Sequence, residues 1–298
     1  MAPAAAVSPW RLGGLSVREL ARRAWNEISD DDVSERAAAL SYYFLFALFP
    51  ALLFLTALLG FLPVAGLQER LLAYTHDVLP PDAASTLERT LTEVLTARRT
   101  GLVSLGALIT LWAGSSGMVS VMNTMNVVWD VKEHRPWWKR RLMAVGLTLV
   151  FSVSIVVALI LLVFGGKIGQ VVAASFGLGA MFTTIWNVVS IPIVIACVLI
   201  GIEVVYYVAP ARRRRWRWGT PGAVLALAMW LAMSLGLRVW VANFANYSAT
   251  YGSIGGVILL MFWLYLTSYV LLVGAEVDAE IEAAAARREQ PRRAARAA

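Results

Sequence analysis

Six long, almost uncharged apolar stretches, with basic residues sorted between them, constrain this chain more than any other feature. They are Ala37–Leu62, Leu102–Val121, Leu142–Phe164, Phe182–Val208, Trp218–Val241 and Ile254–Ala275. Each can cross ~30 Å of hydrocarbon as a helix rising ~1.5 Å per residue. If the chain starts inside and crosses at every stretch, each inner segment carries five Lys or Arg, twenty in all. The outer segments keep six: Arg70, Arg89, Arg98 and Arg99 in the first, then Lys167, then Arg238. Basic residues are retained on the cytoplasmic side of membrane loops, so the asymmetry predicts cytoplasmic N- and C-termini.

Composition agrees with a bilayer as the solvent. Hydrophobic residues are 59% of the 298 and charged residues 15%, which excludes an ordinary soluble domain. A net charge of +7 would point a soluble chain toward nucleic acid. Here the inner basic segments, facing anionic headgroups, account for it, and no nucleic-acid partner is expected. Cys197 is the single cysteine, so neither an intrachain disulfide nor a cysteine metal site can form. No basic residue precedes an apolar core at the N-terminus, so the first stretch must direct insertion.

Residues 1–14 read as a disordered leader, 15–282 as the membrane domain and 283–298 as a basic, unstructured tail. Leu20, Ala24 and Ile28 repeat every four residues between Arg18, Arg22 and Arg23. That spacing predicts an amphipathic helix on the inner leaflet, with Trp25 at headgroup level. Between the first two stretches, Pro63 to Gly101 reads as two short helices broken at Pro80-Pro81. The second has a capping box of Ser85 and Glu88.

Few residues carry chemistry. Pro50 removes a hydrogen bond inside the first stretch, predicting a kink or break, and Pro192 stands similarly in the fourth. Glu203 lies seven residues before Pro210, hence ~10 Å inside the membrane. A carboxylate at that depth is costly unless paired, hydrated or protonated. It reads either as a proton-coupling residue facing a polar cavity or as a carboxylate reaching toward Arg212 or Arg213. Arg238, Asn243, Asn246 and Tyr251 concentrate polar and aromatic groups before the last stretch, as an outward site or a structural plug. Gly252 and Gly256 are spaced for close helix packing. Arg140 and Arg141 follow Trp137-Trp138, and Arg212 and Arg213 precede Trp216. These clusters suit interfacial anchoring or contact with lipid headgroups. His76 and His134 fall on opposite sides, leaving no histidine pair for a metal. Glu276, Asp278, Glu280 and Glu282 read as a solvated acidic helix end.

Three segments carry a family resemblance. One is Arg36-Ala-Ala-Ala-Leu-Ser-Tyr42-Tyr43 through Phe49-Pro50. Another runs from Tyr206 and Pro210 through the basic cluster to Pro221-Gly222-Ala223. The third runs from Ala242-Asn-Phe-Ala-Asn-Tyr-Ser-Ala-Thr-Tyr-Gly-Ser-Ile-Gly-Gly through Trp263-Leu-Tyr265 to Gly274-Ala-Glu276. In content and order they resemble the YihY/BrkB inner-membrane proteins, once labelled ribonuclease BN. The resemblance implies a six-helix bacterial inner-membrane protein, with links to the cell envelope and to export of lipids or lipid-linked precursors. It does not supply Glu203 with a matching position.

The sequence therefore predicts an all-α, polytopic, six-span protein with amphipathic interfacial helices. The leading expectation is transport or flipping of an amphipathic envelope molecule, with membrane lipids as partners, a homo-oligomer left open and no cofactor. A non-transporting scaffold for envelope or division machinery is the alternative, and a membrane-bound ribonuclease a distant one.

Overall fold

A computed structural model describes residues 9–60, 100–176, 180–212, 216, 218–244 and 253–297, and among them there is no β-strand. Seven helices are described: α1 (Val17–Asp30), α2 (Val33–Gly60), α3 (Thr100–Val128), α4 (Trp137–Phe176), α5 (Ala180–Val208), α6 (Pro221–Phe244) and α7 (Ser253–Ala297). The six apolar stretches fall within α2 to α7, apart from a few terminal residues. Even the shortest of these, α6 with 24 residues, reaches ~36 Å.

By length and composition alone, segments of α5, α6 and α7 suffice to cross a membrane: Val188–Val208, Pro221–Val241 and Gly255–Glu289. Only 11% of the apolar window of α6 is buried in the bundle. So much outward apolar surface is unsuited to water and suited to lipid.

The order of packing is α6, α7, α2, α3, α4, α5, with α5 and α6 meeting over less of their length. The dense core lies where the end of α1, residues 129–136, residues 209–212 and the middle of α7 converge, called here the basic end. Val33, Ala37, Leu40, Met122, Met125, Trp129, Val205, Tyr206 and Leu272 fill it.

Local chemistry explains the boundaries. Ser16 caps α1 by accepting the Glu19 amide at 3.2 Å, and Glu19 pairs with Arg22 and Arg23 one turn on. Leu20 and Ala24 are buried while Trp25 stays exposed. The apolar face of α1 is thus seated on α7 rather than left for the leaflet. Asp31 and Asp32, the latter at φ 50, then turn the chain into α2.

Two expectations change. Helices α2 and α5 continue through Pro50 and Pro192, so neither proline breaks its helix. Residues 9–14 and 283–297, expected to be unstructured, are described as helical. Pro9–Gly14 forms a 3-10 turn against α7, with Gly13 at φ 60 beside the Ile281 carbonyl and Ala284. Arg288 donates to the Gly14 carbonyl at 2.5 Å, and α7 continues to Ala297 through an alanine-rich run that favours helix. The expected helices of residues 63–101 lie, up to residue 99, outside the described residues.

Candidate functional site

Among the described residues, charged groups and their partners gather at the basic end in three places and on α3 and α4 in another. The first is the start of α6. Thr220 is its N-cap and Pro221 its first residue, a pairing that suits a helix start because proline lacks the amide that would go unpaired. The Oε1 of Glu203 accepts the Thr220 amide at 2.5 Å and the Thr220 hydroxyl at 2.9 Å. The Oδ1 of Asp278 accepts the Gly222 amide at 2.8 Å, and the Thr220 side chain and carbonyl take the amides of Ala223 and Val224. The first-turn donors of α6 are thereby satisfied, with two carboxylates among the acceptors at the positive end of the helix.

This cap requires α6 and α7 to touch backbone to backbone. A Cβ built on Gly222 or on Gly274 would overlap the other's carbonyl oxygen. Beside the crossing, the buried Tyr206 hydroxyl donates to the Leu271 carbonyl at 2.6 Å.

The second place is a clamp between loops. Arg135 donates to the Ala209 carbonyl at 2.8 Å and to that of Val208 at 3.4 Å, satisfying the end of α5. Its guanidinium also pairs with Glu133 at 2.8 Å. Asn126 donates to Glu133 at 2.9 Å and accepts the Ala211 amide at 2.6 Å. The Arg135 side chain, with help from its own amide and from Asn126, holds the Glu133 carboxyl down from the ordinary 4.5 to about 2. A depressed carboxylate stabilises the fold above its unfolded value and ceases to as pH falls through its folded one. The melting temperature of the native protein in detergent should therefore exceed that of Glu133→Gln at neutral pH. The gap should close between about pH 4.5 and pH 2. A gap independent of pH would contradict the assignment.

The third place is acidic. Glu276, Asp278 and Glu280 of α7 are all buried, and Glu276 and Glu280 face Glu27 of α1, with Asp31, its C-cap, and Asp130 after α3 nearby. Among the described residues, no group of three His, Cys, Asp or Glu side chains could hold a metal ion.

The fourth is Arg141, in the first turn of α4. It donates to the Trp112 carbonyl and, at 3.3 Å, to the Ser116 hydroxyl, with its guanidinium 4.3 Å from the Trp112 ring centre. Trp112, Ser116 and Trp137 are all exposed, and the two indole rings lie 6.1 Å apart. Trp112 stands sixteen residues before the end of α3, ~24 Å along it, at the middle of the second apolar stretch. An arginine at a membrane edge normally reaches outward to the headgroups. Arg141 reaches the other way.

Comparison with known proteins accords with this architecture. The family described as "Virulence factor BrkB" matches residues 24–298, nearly the whole chain. The chain belongs to the BrkB family. Among its relatives, the "Putative ribonuclease-like protein YfkH" of Bacillus subtilis (strain 168) is 36% identical over 244 residues, covering 82% of this chain and 88% of YfkH. The "UPF0761 membrane protein Smlt0865" of Stenotrophomonas maltophilia (strain K279a) is 27% identical over 88% of this chain. The chain spans only 60% of that protein's length. A "UPF0761 membrane protein" of Tolumonas auensis is 25% identical over 91% of this chain and 88% of its own. No solved structure matches.

In this BrkB-family protein the described residues among those singled out from sequence are spread over several places. Glu203 caps α6. Arg238 is exposed on α6, and Asn243 lies in the last turn of that helix. Asn246, Tyr251 and Arg213 lie outside the described residues. Arg140 donates to Asn123 at 3.3 Å, and Arg212 pairs with Glu282. Trp216 packs edge-on against Tyr207 and Trp218, 5.2 Å from each. Sequence reasoning missed Asn126, Glu133, Arg135 and Thr220. The Thr220-Pro221 pair carried a readable signal, a cap followed by a first-turn proline. The loop residues carried none.

Proposed function

We propose that this integral membrane protein of the BrkB family moves or flips a lipid or lipid-linked envelope molecule. It would lie in the bacterial inner membrane with both termini cytoplasmic. Arg141 carries the reading: a half-buried guanidinium held along α3 at the middle of the second apolar stretch and flanked by two exposed tryptophans. Cations inside a membrane are costly and are kept where they meet a polar or charged species. A headgroup phosphate gliding along α3 and α4 would find there a partner that lowers the cost of entering hydrocarbon. Arg140 extends the path at the interface. Arg238, far along α6, is the candidate contact for the opposite leaflet. The reading routes no proton through Glu203, because that carboxylate is engaged by Thr220.

The test is a flipping assay with fluorescent anionic phospholipid in proteoliposomes. The native protein should accelerate exchange between leaflets over protein-free vesicles. Arg141→Ala should reduce that rate at least tenfold, and Arg238→Ala should weaken it. A native rate equal to that of empty vesicles would overturn transport of that lipid.

A second reading, a non-transporting scaffold, draws on the packed core and interlocked loops of the basic end. The ribonuclease-like name of YfkH is the one observation behind a nuclease.

A further inference from the structure

Glu276 begins the part of α7 that runs past the last apolar stretch, and it is 1% exposed. Its Oε1 is buried and has no hydrogen-bond partner among the described residues. A buried ionised carboxylate in that position would lack compensation. Its surroundings make matters worse. Asp31, the C-cap of α1, is the carboxylate that acts on it most strongly, ahead of Glu27 of α1 and Asp130 of the α3–α4 loop. Asp30 and Glu280 add negative charge around the same point.

Cations border this pocket, Arg23 and Arg287 each 3.9 Å from Glu280, but none of the described ion pairs includes Glu276. Arg36 of α2 donates to the Asp31 carbonyl at 2.6 Å, and Arg23 of α1 is also held by Glu19. Neighbouring carboxylates, one of them fully buried, cannot both ionise without large repulsion. One proton between them removes a charge and supplies the missing donor together. An ion with its water shell would need room beside a carboxyl that is wholly enclosed, whereas a proton needs none.

We infer that Glu276 and Asp31 form a proton-binding site, one shared proton joining α7 to the α1–α2 turn. Burial first, and then Asp130, raises the Asp31 carboxyl above its ordinary range. Glu27 shifts the same way, by burial and then Glu280. The sign follows from linkage. A pair that keeps its proton when folded, while the unfolded acids ionise above ~4, loses stability as pH rises. The loss ends once the folded pair also ionises. Above that point α1 is held less tightly.

Amide hydrogen exchange of α1 in the full-length protein in detergent tests this, scanned from about pH 6 to about pH 10. That range brackets the highest values known for buried glutamates. After correction for the intrinsic rate, exchange in α1 should rise at least tenfold across it. Glu276→Gln, which retains a donor toward Asp31 but cannot ionise, should show no such rise. It should also lack a carboxylic-acid C=O infrared band that the native protein shows at neutral pH. A flat native profile, an unchanged rise in Glu276→Gln, or protection that follows added Mg2+ instead of pH would each overturn the inference. Asp31→Asn supplies an independent variant should Glu276→Gln not fold.

Discussion

Arg135→Ala should lower the unfolding free energy by up to ~3 kcal/mol, the low end of the cost of removing one partner from a buried ion pair, because this pair is only partly buried. Arg135 is the better buried member, its side chain 8% exposed against 20% for Glu133. Removal leaves Glu133 without its cation and the Val208 and Ala209 carbonyls without their donor. Two loops more than seventy residues apart in sequence then lose a clamp. Arg135→Lys retains charge but not the planar fork, so it should recover only part of the loss. Thermal or denaturant unfolding in detergent reads the effect. An alanine variant within ~0.5 kcal/mol of the native protein would show the clamp to be ornamental.

The Gly222–Gly274 crossing should be equally intolerant. Gly274→Ala places a methyl group against the Gly222 carbonyl, the Tyr206 hydroxyl and Ala226. Backbone cannot swing aside as a side chain can, so α6 and α7 must part. Overpacking of this kind costs ~1–3 kcal/mol. Parting the helices also strains the Gly222–Asp278 and Tyr206–Leu271 hydrogen bonds, each worth ~1 kcal/mol. The total expected is roughly 2–4 kcal/mol, read as a lowered melting temperature. Gly146→Ala is the control. A Cβ there meets nothing within 4 Å, and alanine favours the helix, so that variant should be neutral or slightly stabilised. Equal melting of the two variants would refute the argument.

The long helices were legible in the sequence because one strong quantity, apolar length, decides them. Their junctions were less so. The fifth apolar stretch begins at Trp218, yet α6 begins at Pro221, where the cap chemistry of Thr220 overrides hydropathy. Glu203 was recognisable as a costly group. Its acceptor role was not, since that depends on the chain folding back seventeen residues later. Arg141 stands in a sequence that suits ordinary anchoring beside Trp137 and Trp138. Its inward turn depends on Trp112 and Ser116, which another helix supplies. The clamp was invisible for a similar reason: Asn126 meets the amide of Ala211 across 85 positions, and no local periodicity records such a meeting.

The seating of residues 9–30 on the far half of α7 sets an order on biogenesis. Helix α1 leaves the ribosome with its apolar side unmatched until synthesis has passed Ile281. Through most of translation Leu20 and Ala24 need a substitute, and the nearby bilayer surface is the one at hand. A nascent chain truncated ahead of Glu276 should therefore keep its front end pressed to lipid and open to protease, whereas the finished polypeptide draws that end onto itself.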